Sequence, residues 1–226
     1  MNNELFNLLI NKGELKQSVY DITSEAMQVF KEVAQELEDD FRKQHVVKHE
    51  TITVQVDNKN HFETQIRFAG DVLILLMHTN IFEFPRAHQV MQSKYIREDK
   101  ERSYCGMIKM YNFLSDSFKY NRINDEGYMI GRILINKDRH YFVEGKKELA
   151  QILNNFSENE FTKDVARNIL HCAIRYCVNF DLLVPNFEET IKMTLSEMIQ
   201  IEGQNMISKT AKRLGFRFEK DNPEVL

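Results

Sequence analysis

Residues 51–77 read TITVQVDNKNHFETQIRFAGDVLILLM, two alternating runs followed by a continuous apolar one. Ile52, Val54 and Val56 alternate with Thr51, Thr53 and Gln55, and Phe62, Thr64, Ile66 and Phe68 with Glu63, Gln65 and Arg67. A period of two belongs to extended chain, whose successive side chains leave on opposite faces. Asp57 to Asn60 supplies turn chemistry between the runs, so a β-hairpin with one wet face is expected. Gly70-Asp71 then turns the chain into Val72 to Met77, the pattern of a strand covered on both faces.

Downstream, Ile81 to Phe84 is a short extended piece ended by Pro85, and residues 86–103 are polar and charged, as in a short helix followed by a loop. Cys105 to Leu114, Tyr128 to Ile135 and Arg139 to Val143 read as further strands, the last two joined across Asn136-Lys137-Asp138. Hairpins rather than helical crossovers join these runs, which makes the sheet mostly antiparallel.

Upstream the period is helical. Leu15, Val19, Ile22, Ala26, Val29, Val33, Leu37 and Phe41 recur at steps of three and four, an amphipathic helix. Gly13 is expected to separate it from a shorter helix carrying Leu5, Phe6, Leu9 and Ile10. Its heptad-like spacing suits packing on a sheet or pairing with a second copy. The last third returns to helices: Gly145 to Asn154, a second capped by Thr162, and a third after Pro185 where Asn186 and Glu189 have capping-box spacing.

The order helix, sheet, helix gives an α+β fold: a single, mostly antiparallel sheet of about five to seven strands flanked by a long N-terminal helix and C-terminal helices. One domain over 1–226 is expected, with helices in 1–45, the sheet in 50–143 and helices in 146–215. Neither helical end has a core of its own.

The 226 residues carry 30 Lys plus Arg against 34 Asp plus Glu, a formal charge of -4, so the basic excess of a nucleic-acid binder is missing and nucleic acid is not expected as a partner. Acidic residues gather on the first helix and basic ones in 86–109 and 209–220, which favours protein partners and self-association through the helices. No apolar run approaches the 20 or so residues of a membrane span, and Met1 to Ile10 lacks the basic start of a secretory leader, so no membrane association is expected. Three Cys without a CxxC pair supply neither a disulfide framework nor a thiolate metal site, and a cytoplasmic protein without metal or cofactor is expected.

Two chemistries remain. His78 and Asn80 close the continuous apolar run, and polar groups at the mouth of a buried strand are where ligand pockets recruit hydrogen bonds. Asn112, Tyr120 and Arg122 form a second polar-aromatic group, and Arg122 with Arg132 has the chemistry to clamp an anionic small molecule. These six residues are the candidate ligand-binding set. The competing catalytic reading is a divalent-metal phosphodiesterase or nuclease, in which Glu144 of the E-x-K element Glu144-Gly145-Lys146 holds the metal and Lys146 positions water. It needs a second carboxylate, for which Asp125 or Glu126 is nominated; the same glycine also fits a hairpin exit. His45 and His49 lack the glutamate of a zinc-protease motif, and the aromatic stretch from Tyr104 to Tyr120 lacks the glycine-aromatic signature of RNA-stacking strands. Cys105 needs a general base to act as a nucleophile. The non-enzymatic reading is preferred: a ligand-sensing or protein-interaction module acting as a homodimer.

Overall fold

The computed structural model describes residues 2–44, 52–152 and 154–182, with isolated positions between 184 and 198. The first element, α1 (Asn2–Gln44), is one unbroken helix. Gly13 does not divide it. A glycine inside a helix costs only about 1 kcal/mol relative to alanine, and helix already formed on both sides propagates through it.

The alternating runs become β1 (Val54–Asn60) and β2 (Glu63–Phe68), and the apolar run becomes β3 (Asp71–Met77). β1 continues through the expected turn residues, with a register shift between Asp57 and Asn60, and reverses at His61. Lys31 of α1 donates to the carbonyls of Asn60 and His61, and the Asn60 side chain accepts the Phe62 N–H, which holds the reversal there. After β3 come β4 (Phe82–Glu83), a 3-10 turn (Gln89–Gln92), α2 (Lys94–Glu98) and a second 3-10 turn (Lys100–Ser103). Then follow β5 (Tyr104–Leu114), α3 (Ser115–Lys119), β6 (Tyr128–Asn136), β7 (Tyr141–Gly145) and α4 (Lys163–Val178). The strands form one seven-stranded antiparallel sheet in the order β1-β2-β3-β5-β6-β7, with β4 paired to the start of β5.

One sheet face carries α1 and α4. Ile66, Leu73, Leu75, Ile108, Ile133 and Val143 pack there with Met27, Phe30 and Val33 of α1 and with Ile169 and Ala173 of α4. Close approach of α1 to β5 depends on Gly106, where an added Cβ would fall 1.9 Å from the Thr23 Oγ1. Glu36 joins the two helices by ion pairs with Lys163 and Arg167. On the opposite face residues 82–103 cover the Cys105 end, where Phe84, Val90 and Ile96 pack with Cys105, Met107 and Leu134 and with Phe142 and Phe156 in a second apolar cluster, while at the far end Phe113 packs against Phe118 of α3.

The stretch 145–154, expected to be helical, is a series of turns closed by i to i+3 bonds from Leu149 to Lys146 and from Ile152 to Leu149. Lys147 sits at φ 40°, which an α-helix does not admit. The Asn154 side chain is drawn off to the backbone of Val143. Among the C-terminal helices, α4 is described; the helix expected after Pro185, the basic 209–220 segment and the His45, His49 pair lie outside the described residues. Among the described residues no helix is long and apolar enough to cross a membrane.

Candidate functional site

Along β5, Gly106, Ile108 and Met110 face the helices, so Cys105, Met107 and Lys109 leave on the outer face. The register places Leu134 and Arg132 of β6 beside Met107 and Lys109, and Phe142 and Glu144 of β7 beside Leu134 and Arg132. Both faces are apolar at the Cys105 end. Toward Lys109 the outer face turns polar, because the covering segment stops short of it.

That segment is held in register from several points. Phe82 pairs with Cys105 and Glu83 with Tyr104. Side chains of His88, Ser93 and Asp99 accept the backbone N–H groups that open the three short helical turns. The Tyr95 hydroxyl donates to Asp138 at 2.7 Å and accepts from Asn136 at 3.0 Å, and the Arg102 guanidinium reaches Asp138 at 2.9 Å. Burial pushes the Tyr95 hydroxyl pKa well above its ordinary value.

Between this segment and the sheet lies a hollow of about 220 Å³. Met107, Leu134 and Cys105 form its floor and Phe82, Phe84 and Pro85 one wall. Its polar side is Arg132, Glu144 and His88, with Glu83 at the β4 end. Arg132 donates through Nε to one oxygen of Glu144, and the Nε2 of His88 stands 3.7 Å from the other. The His88 ring is fixed between Phe84, at 4.7 Å between centroids, and Phe142, at 5.3 Å. Its Nδ1 accepts the Val90 N–H at 3.3 Å. In the neutral ring the proton therefore sits on Nε2, toward Glu144. A second, shallower hollow of about 310 Å³ continues past the same Arg132 and Glu144 to Met129, Gly131 and Lys146.

This arrangement binds more readily than it reacts. With its lone pair on Nδ1 engaged by Val90, His88 has no acceptor to offer the Cys105 thiol. Cys105 is 1% exposed, and burial raises its thiol pKa far above the ordinary value, which keeps it protonated. Glu144 and Lys146 do border the shallower hollow together, but both Glu144 oxygens face cationic or N–H donors. Among the described residues no group of three His, Cys, Asp or Glu side chains is placed to hold a metal ion, and Asp125 is instead the partner of Ser117 and Arg122.

Of the six candidate ligand residues, only Arg132 lines the hollow. The Nδ1 of His78 accepts the Asn80 N–H at 3.0 Å, a turn closed on itself, while its ring stands edge-on to Phe82 behind the wall. Asn80 is exposed. Asn112 is buried at the far end of β5 opposite Leu73, and its Oδ1 has no hydrogen-bond partner among the described residues. Arg122 is buried in the connection after α3, 3.9 Å from Asp125 and over the ring of Tyr120, so it and Arg132 make no clamp. His88 is the residue that the sequence reading passed over, inside a segment read as a short helix followed by a loop. The available signal was in β5, where Cys105 and Met107 are apolar on the face opposite Gly106 and Ile108; something had to cover both sides.

No protein-family model, no curated protein and no solved structure matches the chain.

Proposed function

We propose that the protein is a non-enzymatic ligand-sensing or protein-interaction module of the cytoplasm, acting as a homodimer, and that a small ligand enters the outer hollow. The observation that carries this reading is the convergence of Arg132, Glu144 and His88 on an apolar floor, three polar groups on three separate elements aimed into one concavity. An apolar part of the ligand fits against Met107 and Leu134, and its polar end meets the Arg132 guanidinium and the Nε2–H of His88. The engaged lone pair of His88 and the protonated Cys105 support binding over catalysis. Three cysteines without a disulfide suit a reducing compartment.

The test is thermal unfolding of the full chain against a broad metabolite panel. A ligand present at 100 times its Kd adds about 2.7 kcal/mol, which raises the Tm of a chain of this size by about 5–10 °C. Arg132→Ala should abolish that rise. If no compound raises the Tm, or the rise persists in Arg132→Ala, the reading is wrong.

A further inference from the structure

α1 is buried along its core stripe from Leu15 onward, through Val19, Met27, Phe30 and Val33. Ahead of Leu15 it runs past the sheet, and the apolar pattern does not stop. Leu5, Phe6, Leu8, Leu9 and Ile10 are 53%, 53%, 65%, 60% and 54% exposed. At 100° per residue these five side chains span an arc of about 200°, twice the stripe a helix needs to pack on one support. We propose that this overhang is a self-association surface on which the first turns of α1 pair antiparallel with the same turns of a second copy. The inference rests on the homodimer reading above and gives it an interface.

On the side of the arc that carries Gly13, Phe6, Leu9 and Ile10 are a little over half exposed and present roughly 300 Å² per copy, so a two-fold contact buries roughly 600 Å², the size of a weak, reversible interface. A two-fold pairing needs one patch complementary to itself. Gly13 lies on the same arc as Phe6 and Leu9, and nothing stands within 4 Å of where its Cβ would be. An antiparallel pair centred between Leu9 and Ile10 sets Phe6 of each copy over Gly13 of the other, a bulky side chain into the gap left by a missing one. No charge interrupts the arc: Glu4 and Glu14 lie off it, and Lys12 is turned onto the Tyr104 ring at 3.4 Å.

Sedimentation velocity of the full chain across a hundredfold concentration range tests this. The expected result is a reversible shift from the 26.8 kDa chain to twice that mass. Leu9→Glu should weaken it at least a hundredfold, because two-fold symmetry counts the substitution twice. Gly13→Leu should weaken it at least tenfold while leaving the Tm of the dilute monomer unchanged or higher, since leucine is the better helix former. A dimer indifferent to both substitutions overturns this interface and leaves the homodimer reading standing. A chain that is monomeric at every concentration overturns both, and a Tm lowered by Leu9→Glu in that monomer would show the chain's own residues beyond 182 covering the arc.

Discussion

His88 shows how one hydrogen bond decides what a residue can do. Had its Nδ1 been free, an imidazole, a carboxylate and a thiol lining one hollow would have the composition of a nucleophilic triad. The Val90 N–H takes that lone pair, and the remaining proton points at Glu144. At the other end of β5, Arg122 and Asp125 show the opposite economy: their side chains are 4% and 5% exposed, and they hold the connection between α3 and β6 together. Removing one partner leaves the other charge buried, a loss of about 3–5 kcal/mol. Asp125→Ala is therefore expected to lower the unfolding free energy by about 3 kcal/mol in urea titration, whereas a change under 1 kcal/mol would show that Arg122 finds water or another partner.

At the scale of elements, the strands were legible because alternation is local: a period of two in residues 51–68 and a continuous apolar run after it specify extended chain without knowledge of neighbours. What covers a strand is not local. The hollow exists because residues 82–103 fold back over β5, β6 and β7, and its polar groups come from positions 88, 132 and 144. Gly13 did not behave as the sequence reading expected, and Gly145 did so in part: it closes β7 as the hairpin exit, but the expected helix does not follow it. Gly13 is overridden by helix on both sides, and after Gly145 the Lys147 backbone at φ 40° ends any helix before it starts. The sheet edges make a related point. Both carry side-chain caps: Glu38 of α1 accepts the Val56 N–H at 3.1 Å, and Asn154 accepts the Val143 N–H at 2.8 Å while donating to its carbonyl at 2.7 Å. Unpaired edges recruit other chains. Asn154→Ala frees both backbone groups of Val143 and should cost about 1–3 kcal/mol, read as faster amide exchange at Val143; unchanged exchange there would contradict the capping role.

For the whole molecule, helices and sheet are tied by surface charge as well as by the core. The Lys163 ammonium and then the Arg167 guanidinium hold the Glu36 carboxyl below the ordinary carboxylate range, and Lys137 does the same for Asp99 within the covering segment. A carboxyl whose folded pKa is depressed contributes stability that is present above its unfolded pKa and lost as pH falls through the folded one. The stability these two pairs contribute should therefore be lost as pH falls through and below the ordinary carboxylate range of about 4, and an NMR titration of Glu36 should give a midpoint that rises toward the ordinary value in Lys163→Met. An unmoved midpoint would mean that the α1–α4 pair is not maintained in solution.

On the proposed reading a small molecule binds in the outer hollow and not in the helix-side core. The methionines report on this directly. Met107 lies in the floor of the hollow and Met129 in its shallower extension, while Met27 and Met77 are buried on the helix side. A methyl spectrum of methionine-labelled protein, recorded against compounds that raise the Tm, should show the Met107 signal moving and those of Met27 and Met77 standing still. Stabilising compounds that move Met27 or Met77 and leave Met107 in place would contradict the account.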